Sequence, residues 1–137
     1  VANTALINAL DSAGVDYDVL QHKHTESATE EAEALGIPSH DVAKTLVVQT
    51  PGGHVRAVLP ASQRIDLGKL SDIVGVPKKS VQLASEEELQ KRYPEFELGA
   101  VPPLGGARSD PVVVDPLLAE HPSVVFEAGS HDESIRI

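Results

Sequence analysis

The chain has 137 residues, 41% of them apolar, and a net charge of −10 from 11 Lys plus Arg against 21 Asp plus Glu. That length supports one domain with its own core, spanning 1–137, and excludes two. The acidity excludes a protein that holds DNA or RNA through a broad basic face, because phosphate neutralisation supplies most of that affinity. With no cysteine, disulfides and thiolate metal sites are excluded as well. Only four aromatics are present (Tyr17, Tyr93, Phe96, Phe126), which argues against a stacking platform for single strands. Residues 1–20 carry neither a basic region nor a long apolar run, and no stretch approaches the ~20 apolar residues of a membrane span. A cytoplasmic protein with no membrane partner is expected.

In chain order, Ala5, Leu6, Ala9, Leu10 and Ala13 form a helical stripe over 4–13, opened by Asn3 or Thr4 and closed by Gly14. Val15, Tyr17 and Val19 alternate with Asp16 and Asp18, as in a strand with one wet face. Ser27-Ala28-Thr29-Glu30 is a capping-box pattern that starts a helix running to Leu35-Gly36. Glu30, Glu31 and Glu33 read as its solvated face. Thr45 to Gln49 and His54 to Leu59 flank Pro51-Gly52-Gly53, which predicts a hairpin. Asp66 caps a short helix ending at Gly75, Val81 to Leu83 is a brief strand, and Ser85-Glu86-Glu87-Glu88 caps a helix that fails before Pro94. The segment 94–111 holds four prolines and three glycines, a long loop of the kind that carries function. Val112 to Val114, Val124 to Ala128 and Ser134 to Ile137 complete the strands. The pattern predicts an α+β domain with a mixed, largely antiparallel sheet.

Three features stand out chemically. Lys44 interrupts the apolar run Val42-Ala43-Lys44-Thr45-Leu46-Val47-Val48, where an unpartnered ammonium would be costly to bury. The residues alone favour a strand-end lysine with a packed stem and a wet head. Gly99-Ala100-Val101-Pro102-Pro103-Leu104-Gly105 is a stiff loop whose tandem prolines fix φ twice and remove two donors. Its remaining N–H groups either face a ligand or merely join two strands. Ala128-Gly129-Ser130-His131-Asp132 is a polar turn. Ser130, His131 and Asp132 are neighbours and cannot converge as a triad, so turn chemistry is the simpler reading of Asp132 and Ser134. His22 and His24 share a face of an extended chain but lack a third ligand nearby, and no metal site is expected. The glycine pairs match no nucleotide-binding pattern.

Taken in order, Gln21-His22-Lys23-His24-Thr25, Ala32-Glu33-Ala34-Leu35-Gly36, Ala43-Lys44-Thr45-Leu46-Val47-Val48, the Gly99 to Gly105 loop, Val113-Val114-Asp115 and Ala128-Gly129-Ser130 resemble the YbaK/ProX-type aminoacyl-tRNA deacylases. This is the editing domain also inserted in many bacterial prolyl-tRNA synthetases, and the resemblance spans essentially the whole chain. It implies a compact fold around a mixed, partly closed six-stranded sheet, and hydrolysis of mischarged aminoacyl-tRNA without a metal or organic cofactor. Lys44 corresponds to the family's pocket lysine, the catalytic residue. Gly99, Ala100, Val101 and Pro103 belong to its substrate-clamping Gly-x-x-x-Pro loop, and Gly129, Ser130 and His131 to the turn lining the aminoacyl pocket. Where the family usually carries a Thr-Gly pair before the loop, this chain has Tyr93-Pro94-Glu95-Phe96-Glu97. Small residues around the pocket imply a small amino acid such as alanine, cysteine or serine. The charge implies contact with the tRNA acceptor end alone, with a synthetase or elongation factor as the class of partner that would present it. The alternative is a non-catalytic binding module of the same fold, docking onto a synthetase or a small ligand.

Overall fold

The computed structural model describes residues 3–106 and 110–137. In chain order its elements are α1 (Thr4–Ser12), β1 (Asp18–Gln21), α2 (Ala28–Leu35), β2 (Ala43–Thr50), β3 (Gly53–Pro60), α3 (Leu67–Val74), β4 (Gln82–Leu83), α4 (Glu86–Arg92), β5 (Val112–Val114), β6 (Val125–Glu127) and β7 (Glu133–Arg136). Short 3₁₀ turns at Ser39–Asp41, Lys78–Ser80 and Pro116–Glu120 link them.

The β2–β3 hairpin is the spine. Its register runs from Ala43↔Pro60 to Thr50↔Gly53, so Pro51 and Gly52 form a two-residue turn. Gly53 holds φ 133°, which a side chain would strain, and the Thr50 hydroxyl donates to its carbonyl at 2.8 Å. β4 pairs with β2, and β5 adds to β3 in parallel, giving the order β4-β2-β3-β5. A second sheet, β1-β7-β6, is wholly antiparallel and meets the first through a parallel bridge between Val42 and Val125. The class is the expected α+β with largely antiparallel pairing. Its seven strands lie in two sheets among the described residues, where the family resemblance implied one six-stranded, partly closed sheet.

Between the sheets, Leu6 and Leu10 of α1 pack on Ala43, Val58, Phe126, Ala128 and Ile135. Each large apolar side chain buried this way contributes roughly 1.5–3 kcal/mol. Asn3 starts the helix as its side chain accepts from the amides of Ala5 and Leu6. The Val15 amide returns to the Leu10 carbonyl, so the chain extends only from Asp18 and β1 begins later than its alternating pattern suggested. Ser27 caps α2 and Gly36 ends it in the left-handed region. Glu30 and Glu33 are exposed as expected, but Glu31 is fully buried. It lies on the face that turns Ala32 into the core, so the acidic face is narrower than its sequence implied.

Candidate active site

Four segments meet around a cavity of about 190 Å³: the start of β2 (Ala43, Lys44, Thr45, Leu46), the head of α2 (Ser27, Ala28), the proline loop (Gly99, Val101) and the end of β6 (Phe126, Glu127). Lys44 is half-buried. Burial, and then the neighbouring charge of Arg64, holds its pKa below the ordinary lysine value. Among the described residues, no carboxylate lies within ion-pair distance of its ammonium. A cation held on a cavity wall without a partner is available to an anionic or carbonyl group entering that cavity.

The opposite wall is stiff because its loop is clamped from beneath. Arg56, on β3, is 2% exposed. Its Nη1 donates to the Pro102 carbonyl at 3.0 Å, its Nη2 to the Gly105 carbonyl at 2.6 Å, and its Nε to the Tyr93 hydroxyl at 3.3 Å. The guanidinium also lies over the Tyr93 ring, 4.7 Å from its centre. Tyr93 and Arg92 in turn both bond Asp110, whose carboxyl the Arg92 guanidinium holds below the ordinary aspartate pKa. One buried fork therefore satisfies two carbonyls that the prolines cannot pair within the loop. Within the loop, the Ala100 amide already donates to the Glu97 carbonyl at 3.0 Å. The Gly99 and Val101 amides carry no such bond among the described residues.

Two acidic groups are buried here, Glu127 on the cavity wall and Glu31 outside its lining. Glu127 is 8% exposed, and burial first, then the charges of Glu31, Glu97 and Glu26, pushes its pKa up to about 9. Its Oε2 lies 2.8 Å from Nδ1 of His131. His131 Nε2 lies 2.7 Å from the Leu98 carbonyl, which can only accept, so Nε2 is the donor there. The approach of Glu127 to His131 is an ion-pair distance without an aligned hydrogen bond on either atom. Glu31, fully buried, has its pKa raised to about 7 by burial, with the Ser134 hydroxyl bond opposing the shift. Ser134 also lies 2.8 Å from His22 Nε2, while His22 Nδ1 bonds the Lys23 carbonyl at 2.7 Å. The Ser134 hydroxyl thus links Glu31 and His22 in one chain of hydrogen bonds. Ser134 sits in β7 as a buried link between two elements, and its reading as turn chemistry is corrected.

Residues 22–137 match the aminoacyl-tRNA editing domain family. The chain belongs to that family. It is 32% identical over 140 residues to the multifunctional Ser/Thr-tRNA deacylase ProXp-y of Escherichia coli K12, an alignment covering 98% of this chain and 82% of that protein. A candidate Cys-tRNA(Pro)/Cys-tRNA(Cys) deacylase, EbsC of Enterococcus faecalis, is 28% identical over 123 residues, covering 89% of this chain and 73% of that protein. A crystal structure described as a candidate trans-editing enzyme for prolyl-tRNA synthetase superposes with a TM-score of 0.85 at 28% identity, over 97% of this chain and 83% of that one.

Within this editing domain, the residues singled out in the sequence fall into two groups. Lys44, Gly99 and Val101 line the cavity, and Ala100, Pro103, Gly129, Ser130 and His131 do not. Gly129 holds φ 88°, and a Cβ there would meet Phe96 at 2.7 Å and Asn3 at 3.0 Å. It is a close-packing position that lets Phe96 seal the loop's base. His131 stands directly behind Gly99, with its ring about 3.5 Å from where a Cβ would be. Sequence reasoning missed Arg56, Glu31 and Glu127. His22 and His24 do not converge on a shared ligand, since His24 pairs with Glu26 and Asp132 instead. Among the described residues a different trio, His40, Asp41 and His121, brings metal-binding atoms within 4.8 Å of one another, away from this cavity. A larger cleft of about 490 Å³ lies between β3, β5 and α3 and includes none of the candidate residues. No described helix is long and apolar enough to cross a membrane.

Proposed function

We propose that this editing domain hydrolyses, in trans, the ester between a small noncognate amino acid and the 3′-terminal adenosine of a tRNA. The observation that carries the reading is Lys44, a cation on the wall of a small cavity lined also by Gly99 and Val101. Among the described residues Lys44 has no ion pair and the Gly99 and Val101 amides have no hydrogen bond. The ester is already activated, so positioning, charge stabilisation and an oriented water suffice. No thiol exists to attack, and no serine pairs with a histidine on the cavity wall. Water attacks the carbonyl, oriented by the terminal ribose hydroxyl, as family resemblance suggests. Lys44 stabilises the oxygen that gains charge or holds the adjoining ribose–phosphate. The Gly99 and Val101 amides grip the aminoacyl carbonyl or the adenosine, a role closed to the Ala100 amide by its bond to Glu97. Pro103 stiffens that loop, and Gly129, Ser130 and His131 support it from behind.

Substrate size follows from the cavity. At about 190 Å³, walled by Ala28, Ala43 and Gly99, it suits alanine, cysteine or serine. The names of the relatives, a Ser/Thr-tRNA deacylase and a candidate Cys-tRNA deacylase, support the same class. A net charge of −10 favours contact with the acceptor end alone, in the cytoplasm, with a synthetase or elongation factor presenting the tRNA. The test is release of amino acid from alanyl-, cysteinyl-, seryl-, leucyl- and phenylalanyl-tRNA. Release of one of the small three, faster than of the large two, is expected. Faster release of leucine or phenylalanine would reject the size argument, and no turnover across the panel would leave a binding module.

A further inference from the structure

The cavity is electrically lopsided. Lys44 is on one wall and Glu127 on another, yet they form no ion pair. The groups acting on Glu127 from the elements packed around it are Glu31 on α2, Glu26 before it, Glu97 before the proline loop, and His131 after β6. Among the described residues, no lysine or arginine pairs with Glu127. Three carboxylates therefore press on a fourth that is nine-tenths buried, and among the described residues its ion-pair contact is a histidine already fixed to the Leu98 carbonyl. Oε2 faces that histidine, without a well-aligned hydrogen bond, which leaves Oε1 for the cavity. A fold that needed this position only for packing would fill it with an apolar side chain, since an unpaired buried carboxyl is destabilising.

We infer that Glu127 receives the α-ammonium group of the substrate, so that the site takes aminoacyl esters with a free amine and refuses N-blocked ones. This rests on the ester-hydrolase reading above. An aminoacyl-adenosine has the same polarity as the cavity: its ammonium sits one carbon from the reacting carbonyl, and its phosphate lies beyond the ribose. Seating the ammonium at Glu127 turns the carbonyl toward Lys44 and the loop amides. It also fixes which end of the amino acid enters. A neutral N-acyl group offers one donor, adds bulk to a cavity of about 190 Å³, and brings no charge to relieve the carboxyl cluster.

Proton counting gives the arrangement a signature. The bound pair holds one proton between carboxyl and amine. Below the amine's ordinary pKa of about 7.7–8.0, both free partners are protonated, so binding releases a proton and affinity rises with pH. Above the pKa of about 9 for Glu127, both are deprotonated, so binding takes one up and affinity falls.

The experiment is a calorimetric titration with two non-hydrolysable probes, 3′-seryl-amido-3′-deoxyadenosine and its N-acetyl counterpart, against wild type and Glu127→Gln. The wild type is expected to prefer the free amine by at least about thirtyfold, the scale of an unpaired buried charge, with an optimum between about pH 8 and 9. Glu127→Gln, checked for folding by thermal unfolding, should bring the two probes within about threefold and lose the rising limb of the pH profile. Equal binding of both probes by wild type, binding of neither, or an unchanged preference in Glu127→Gln overturns the inference. The wild-type comparison does not depend on the variant folding. A preserved amine preference without turnover on any aminoacyl-tRNA would defeat the hydrolase reading alone.

Discussion

Lys44 and Arg56 are cations on adjacent strands of one hairpin, and they do opposite things. Register places Arg56 opposite Val47 and Lys44 opposite Leu59, so the two stand on opposite faces of the β2–β3 pair. Arg56 is buried, three acceptors engage its three nitrogens, one each, and an aromatic face lies against it. Lys44 is half-buried on a cavity wall and, among the described residues, has no carboxylate partner. A cation bound by fixed partners at every nitrogen is structure. One whose valence is kept open is available for a ligand. The domain needs both, because Arg56 anchors the loop that Lys44 faces.

The comparison can be broken most severely at Arg56. Arg56→Met should cost about 3–5 kcal/mol, because it strands the Pro102 and Gly105 carbonyls. Denaturant unfolding would show this as a lower midpoint, and an unchanged midpoint would remove Arg56 as the loop's anchor. At Lys44 the effect should appear in rate. Lys44→Arg is expected to lose at least about fiftyfold in single-turnover hydrolysis, since a planar fork does not replace a compact ammonium in so small a cavity. Its melting temperature should stay close to wild type.

A smaller effect, of opposite sign, is expected at the acidic wall. Glu127 and Glu31 have pKa values raised to about 9 and about 7 from an ordinary 4.5, so the native state binds more protons than the unfolded one between these values. Their contribution is complete below the unfolded pKa and is lost as pH rises through the folded values. Melting temperature should fall from mildly acidic to alkaline pH. Glu127→Gln should flatten that slope and stabilise the protein at about pH 8 by roughly 1–2 kcal/mol. A variant as pH-sensitive as wild type would contradict the buried-acid assignment. The smallest effect concerns tRNA: log affinity against log salt should have a slope equivalent to about one to three phosphates. A slope of about six or more would mean a basic track that the charge distribution does not provide.

What the sequence made legible is local. The hairpin at Pro51-Gly52, the caps at Ser27, Asp66 and Ser85, and the terminators Gly36 and Gly75 were all readable, because each rests on residues a few positions apart. Lys44 was readable because a cation breaks an apolar run. Arg56, Glu31 and Glu127 were not, because a charged residue looks the same in a sequence whether it meets water or a distant partner. Glu31 meets Ser134 across 103 positions and Arg56 meets Pro102 across 46. The proline loop announced its stiffness, while the residue that clamps it lay two strands away. Its positions 107–109 lie outside the described residues. Likewise, Ser130 and His131 were expected to line the pocket, but the cavity surface itself comes from Glu127 and Phe126 just before them.

The central claim is that Lys44 is kept free for chemistry, and single-turnover hydrolysis by Lys44→Ala tests it most directly. The substrate is one the wild type accepts, and thermal unfolding of the same preparation verifies the fold. Losing the side chain should change stability by about 1 kcal/mol or less, because only stem packing is removed. The barrier should rise by roughly 3–4 kcal/mol, a rate loss of about a hundred- to a thousandfold. A folded Lys44→Ala protein that keeps most of its rate would contradict the account.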